Sequence, residues 1–157
     1  MTSVLDPMTR TAEEWRQEAR DARKRSFDSF ERCDTDGYLS QWAATQMGQR
    51  YDLLATIAEE GGFWFMEVAD LDGNLLDARY VETRYGWSWV WDDADGNAVW
   101  FRESNARKGE RRKAAHAKKG VMLVRVKREA VMFSDGNVKP KRGAEALAVE
   151  EIGYEDY

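Results

Sequence analysis

The sequence is poor in the residues that most metal centres and extracellular frameworks depend on. Its 157 residues include one cysteine, one histidine and two prolines, and no apolar run is long enough to cross a bilayer. An internal disulfide is therefore impossible, and so are a zinc cage of several Cys and His ligands and a relay with several histidine candidates. We expect a protein of a reducing cytoplasm with no membrane partner and no cofactor.

What is present is typical of a folded domain. The chain is 43% hydrophobic and 34% charged, which is too apolar for a disordered chain and too charged for a membrane protein. A length of 157 residues is typical of a single domain with one hydrophobic core. We predict a single α+β domain over residues 1–143 and an acidic C-terminal tail over residues 144–157. Within that tail, we expect the polar end that follows the apolar stretch 146–149 to be mobile.

Helical spacing dominates residues 11–60. Thr11 and Glu14 form a capping-box pattern, and apolar residues follow every three or four positions from Trp15 onward. Turn formers at residues 33–37 divide the pattern, and Gly61 and Gly62 follow its end. The pattern predicts an antiparallel helical hairpin, and a continuous kinked helix through residues 34–37 is the alternative.

The spacing changes at residue 63. Short segments rich in aromatic and β-branched residues at 63–69, 75–83, 87–91 and 98–103 alternate with turns, of which two contain Asp-Gly. This pattern predicts an antiparallel meander over 63–103, then a basic helix over 104–120 and strands within 121–133. The predicted fold is an N-terminal helical hairpin packed on the meander, with the basic helix inserted before the last strands.

Three Asp-x-Asp-Gly strings suggest calcium, at residues 34–37, 70–73 and 93–96. Their alignment with a calcium-binding loop leaves both the first carboxylate and the final bidentate Glu missing in each case, so we interpret them as turns. Asp92, Asp93 and Asp95 crowd one loop, which is weak evidence for acid/base catalysis, and His116 is expected to be solvated on its helix. We therefore predict no metal site, no catalytic residue and no enzyme.

Trp87, Trp89 and Trp91 alternate along one predicted strand and so share one face. Two interpretations of this row are open. If the row is exposed, it can stack on nucleobases or sugars. If it is buried, it is the sheet face that packs on the helical hairpin and meets Trp42, Tyr51 and Leu54. We take Trp87, Trp89 and Trp100 as possible stacking residues.

Positive charge is concentrated in one segment, although the whole chain carries −5. Residues 104–143 hold 13 basic and 3 acidic residues, a formal charge of +10. A helix here places basic side chains in two adjacent rows that can contact a phosphate backbone. A solvated helix neutralised by the acidic segments is the alternative. The candidate phosphate-binding residues are Arg107, Lys108, Arg111, Arg112, Lys113, Lys118 and Lys119.

Residues 26–43 read Ser-Phe-Asp-Ser-Phe-Glu-Arg-Cys-Asp-Thr-Asp-Gly-Tyr-Leu-Ser-Gln-Trp-Ala. This string resembles a family of small proteins of mycobacteriophages and related actinobacteriophages that has no assigned activity. The resemblance extends through Gly61-Gly62, residues 70–74 and residues 85–87 to residues 104–109. It implies a phage origin and action in the host bacterial cytoplasm, and it supplies no site residues.

Together these observations predict a non-enzymatic phage accessory protein that binds a host protein or nucleic acid. The basic segment favours a phosphate-bearing target, either nucleic acid or nucleoprotein. One alternative is a counter-defence protein that sequesters a signalling nucleotide or masks a host immune protein. Another is an oligomeric structural component, which would make the protein a homo-oligomer.

Overall fold

A two-residue strand and a pair of long helices come first in the described chain, and mainly strands follow. The computed structural model describes residues 4–31, 35–84, 86–102 and 110–152. Within these residues the helices are α1 (Ala12–Glu31), α2 (Thr35–Glu60) and α3 (Glu110–Lys118). The strands are β1 (Val4–Leu5), β2 (Phe63–Asp70), β3 (Arg79–Thr83), β4 (Gly86–Asp92), β5 (Ala98–Arg102), β6 (Val121–Arg128), β7 (Ala130–Phe133), β8 (Val138–Pro140) and β9 (Ala148–Glu151). This order confirms an α+β protein with an N-terminal helical hairpin followed by antiparallel strands.

The chain forms two compact units. The first, which we call the helical unit, comprises Met1–Phe63 and Arg128–Leu147. The second, the strand unit, comprises Trp64–Lys127 and Ala148–Tyr157. Among the described residues, no helix is both long and apolar enough to span a membrane.

Local interactions explain where the hairpin begins and how its helices align. The Thr11 hydroxyl accepts the Glu14 N–H and the Glu14 carboxylate accepts the Thr11 N–H, each at 3.2 Å, which confirms the capping box. Arg16 pairs with Glu59 and Arg23 pairs with Asp52, so α1 and α2 run antiparallel. Helix α2 already begins at Thr35, and the predicted turn residues Cys33 and Asp34 lie outside the described residues.

The helical unit has its own core. Trp15 and Leu54 from the hairpin pack with Met132 of β7, and Tyr51 and Val138 border them. The sheet of this unit has the order β1-β7-β8. The buried alternative for the tryptophan row names Trp42, Tyr51 and Leu54 as the hairpin residues that the row meets. Trp42 is 61% exposed, which contradicts that part of the alternative. The predicted packing of the hairpin on the meander stays a prediction.

The strand unit contains two sheets. Strands β3, β4 and β5 form the antiparallel meander, in which Trp89 lies opposite Tyr80 on one side and Phe101 on the other. Strands β2, β6 and β9 form the second sheet in that order. The predicted strand over 75–83 is shorter than expected, because Leu75 makes only an isolated bridge with Ala69.

Helix α3 belongs to the core of the strand unit through one side chain that we expected to be solvated. His116 is 1% exposed and its ring lies 4.6 Å from the ring of Phe101. Ala115 packs against the same cluster of buried residues, which includes Trp89 and Leu123. The expectation for His116 was wrong because helix α3 buries the side of its surface that carries residue 116.

Part of the acidic C-terminal tail is a strand, which includes the first two residues of the end that we expected to be mobile. Ala148–Glu151 forms β9 and pairs antiparallel with β6, so its backbone groups are hydrogen-bonded in a sheet. The Arg125 guanidinium donates to the Glu150 carboxylate at 2.7 Å and lies over the Trp64 ring. One acidic residue of the C-terminal segment therefore does neutralise the basic segment, as its charge suggested.

Candidate nucleic-acid interface

The meander has two chemically different faces. Because side chains alternate along a strand, Tyr80, Trp87, Trp89 and Phe101 point to one side, which we call the aromatic face. Arg79, Val90 and Trp100 are also cross-strand neighbours, and they point to the other side, which we call the groove face. The three predicted stacking residues are therefore split between the faces, because Trp100 lies opposite Val90 and not opposite Trp89.

The tryptophan row of β4 is partly core and partly surface. Trp89 and Trp91 are buried, whereas Trp87 is 48% exposed. The Trp87 ring stacks on that of Tyr80 with centroids 5.0 Å apart and planes 22° apart. Trp89 presents almost no surface, so of the three predicted stacking residues it is the one whose ring a base could not reach.

Tyr80 is the stacking residue that the sequence analysis missed. It is 44% exposed and its ring lies between those of Trp87 and Trp89, 4.7 Å from the latter. The register of β3 with β4 places Tyr80 opposite Trp89. The sequence did not predict this register, because the connection between Thr83 and Gly86 carries no Asp-Gly signal.

The basic residues are only partly within the described structure. Arg107 and Lys108 lie outside the described residues, and so do the side chains of Arg111 and Arg112, whose backbones belong to α3. Lys113, Lys118 and Lys119 are exposed. As predicted, the helix ends before Gly120, which has a φ of 72° and donates its N–H to the Ala117 carbonyl.

Helix α3 covers the aromatic face. His116 contacts Phe101, which is the direct cross-strand neighbour of Trp89, and Ala115 packs on the cluster that contains Trp89. Helix α3 and the exposed Tyr80–Trp87 pair therefore lie on the same face of the same sheet. The sequence alone could not place them together, because nothing in it shows which face the helix covers.

The exposed lysines in and directly after α3 have no carboxylate within ion-pair distance among the described residues. Within the part of the chain that the structure describes, Lys113, Lys118 and Lys119 form no ion pair. This contrasts with Arg125, whose charge Glu150 already neutralises. Cations without a carboxylate partner are the ones that release counterions when they bind phosphate.

Two of the three Asp-rich strings that resemble calcium loops, at residues 70–73 and 93–96, are turns. Residues 35–37 of the third string lie in helix α2, so the prediction of a turn at those residues is wrong. Asp70 accepts the backbone N–H of Asp72 and of Asn74, at 3.0 and 2.8 Å, and Gly73 adopts a φ of 90°. Asp93 accepts the N–H of Asp95 and of Asn97 in the same way. Among the described residues no cluster of three potential metal ligands is present. These carboxylates stabilise their own turns.

Hydrogen bonding makes the Asp70 turn sensitive to acid. The backbone N–H of Asn74, and next its side-chain amide, hold the pKa of Asp70 below its ordinary value of 3.8. A lowered pKa means that ionised Asp70 stabilises the fold above about pH 4, and that this contribution is lost as the pH falls through the folded pKa. An NMR titration should give a midpoint below 3.8, and a midpoint at or above 3.8 would contradict it.

Comparisons with protein-family models, curated proteins and solved structures find no match to this chain. The candidate site therefore rests on its own geometry. That geometry is an exposed aromatic pair and a helix with exposed lysines on one face of a three-stranded sheet.

Proposed function

We propose that this protein acts by binding a phosphate-bearing target, specifically a single-stranded stretch of nucleic acid, and not by catalysing a reaction. The observation that supports this is the shared location of the Tyr80–Trp87 pair and helix α3 on the aromatic face. Aromatic rings stack on unpaired bases regardless of sequence, while lysines bind the phosphates between them.

The proposed complex assigns a different task to each group. Lys113, Lys118 and Lys119, together with Arg107, Lys108, Arg111 and Arg112, contact the backbone. Trp87, supported by Tyr80 beneath it, stacks on a base. Phosphate contacts set affinity and orientation but carry no sequence information, so we expect little preference among sequences at this face.

The setting we propose is infection of an actinobacterium by a phage, within the host cytoplasm. The resemblance of residues 26–43 to a phage family supports this part of the proposal. The target would then be host or phage nucleic acid, free or within a nucleoprotein. A tagged pull-down from actinobacterial lysate with and without nuclease tests it, because nucleic acid should co-purify and its digestion should release any protein partners.

The direct test is fluorescence anisotropy with a labelled single-stranded 20-mer of thymidine at several salt concentrations. Affinity should fall as salt is added. A plot of log Kd against the logarithm of the salt concentration should rise with a slope of about 0.7 for each phosphate that the protein neutralises. The K113A/K118A variant should bind more weakly and reduce that slope by about 1.4. K24A/R25A removes two positive charges from exposed residues of α1 that form no ion pair in the described structure, so it is the matched charge control.

The aromatic part of the proposal has its own matched pair of variants. Trp87→Ala should weaken binding about 5- to 100-fold, the usual effect of losing one stacked base. Trp100→Ala removes an equally exposed tryptophan from the opposite face. It should leave affinity for the thymidine 20-mer, whose bases carry no exocyclic amino group, within about two-fold. Failure of the wild-type protein to bind at low salt, or equal losses from both variants, would refute the proposal.

A further inference from the structure

The groove face carries a cavity of about 380 Å³ that the proposed interface does not use. Its lining includes Asp77, Arg79, Val90, Asp92, Ala98 and Trp100. The volume lies within the range of about 300–1,000 Å³ that is typical of small-molecule sites. Every residue of the lining belongs to the strand unit.

Three side chains in one cross-strand row shape the cavity. Val90 is buried and forms its floor, and the register places Arg79 on β3 and Trp100 on β5 directly beside it. Strands two apart are separated by about 10 Å, and a flat ring needs about 3.5 Å from the group on either side. The backbone spacing of β3 and β5 therefore allows one planar ring between the indole and the guanidinium.

The row is chemically suited to such a ring. Trp100 is 51% exposed, and Arg79 is exposed with no ion pair within the described chain. Aromatic faces and arginine guanidinium planes are the two surfaces on which proteins stack unpaired bases. An Arg79 held by a carboxylate would not be available for stacking in this way.

The next row supplies hydrogen-bond acceptors. Asp92 lies opposite Ala98, and the small side chain of Ala98 leaves the Asp92 carboxylate open to the cavity. Asp77 is also part of the lining. Ionised carboxylates only accept hydrogen bonds. An exocyclic amino group offers two N–H donors, one for each carboxylate. Uracil has only one ring N–H, and it lies between two carbonyl oxygens. A carboxylate that approached this N–H would be repelled by both oxygens.

We propose that this cavity binds a nucleobase that carries an exocyclic amino group, with the ring between Trp100 and Arg79 and the amino group donating to Asp92 and Asp77. Two carboxylates against one guanidinium disfavour a phosphate inside the cavity, so the base and not the phosphate is recognised. This site lies on the opposite face from α3 and does not depend on the interface proposed above.

Cytidine and uridine provide the sharpest test because they differ at one position of the ring. Titration calorimetry with each nucleoside should show cytidine binding at least about 10-fold more tightly, the effect of a hydrogen bond to a charged group. Adenosine should resemble cytidine. Equal affinities for cytidine and uridine, or no binding of either at millimolar concentration, would overturn the proposal.

Variants tie the result to the cavity. Trp100→Ala should weaken cytidine binding about 10-fold or more, whereas Trp87→Ala should not change it. Asp92→Ala should bring cytidine close to uridine in affinity. K113A/K118A should bind cytidine as wild type does, so loss of nucleic-acid binding and loss of this site can be told apart. Unchanged cytidine binding by Trp100→Ala would place the ligand elsewhere and refute the assignment.

Discussion

Replacing Trp15 by alanine should lower the free energy of unfolding by about 3–5 kcal/mol, as is usual for a buried tryptophan. Trp15 is 2% exposed, stacks on Tyr51 with ring centroids 6.0 Å apart and packs with Leu54 and Met132. Its indole N–H also donates to the Pro7 carbonyl at 2.8 Å. The alanine variant would leave that carbonyl without this donor. Urea unfolding followed by circular dichroism would measure the loss.

Trp42→Ala is the matched control for that experiment. It removes the same side chain from the same hairpin, but at a position that is 61% exposed. Exposed substitutions of this kind usually change stability by no more than about 0.5 kcal/mol. If the two variants lost equal stability, burial would not explain the role of Trp15, and the core assigned to the helical unit would be wrong.

These two residues also show how far the sequence could predict the fold. The helical spacing places both on apolar stripes, and it identifies both helices and the capping box correctly. Periodicity does not show which stripe meets a partner. Trp15 meets Met132 and Val138, residues more than 100 positions away, whereas Trp42 meets solvent in the described structure.

The sheets show the same limit. Asp-Gly turns correctly indicate the connection between β4 and β5, because side-chain and backbone hydrogen bonds within the turn are local. The pairing of β9 with β6 could not be predicted in this way, since it joins Val126 to Val149 across a long segment. His116 was misjudged for a related reason, because its flanking residues are polar or small and its partner Phe101 is distant in sequence.

The candidate site was predictable in its components but not in its arrangement. The basic segment and the tryptophan row are both visible in the sequence. That α3 covers the face of Trp89, and that Trp100 points away from Trp87, follow only from the strand register and the contact of His116 with Phe101. This arrangement decides whether Trp87 and Trp100 belong to one binding surface or to two.

The second large effect is expected at Trp89, on the same strand as the candidate stacking residue. Trp89 is buried among Val68, Phe101 and Leu123, so Trp89→Ala leaves a large cavity in the strand unit. Its indole N–H is buried without a hydrogen-bond partner in the described structure, which already costs about 1–3 kcal/mol. Trp89→Ala removes this unsatisfied group, which offsets part of the stability lost through the cavity. We therefore expect a net destabilisation of about 3 kcal/mol.

Trp89→Phe separates these two contributions. Phenylalanine keeps most of the packing and lacks the unsatisfied N–H, so its cost should stay below about 1 kcal/mol. Trp87→Ala, two positions earlier, loses only a surface ring pair with Tyr80 and should cost no more than about 1 kcal/mol. Urea unfolding and the anisotropy assay should therefore diverge along β4, with Trp89→Ala losing stability and Trp87→Ala losing nucleic-acid affinity. If Trp87→Ala instead unfolded as readily as Trp89→Ala, Trp87 would be part of the core and its proposed role in stacking on bases would fail.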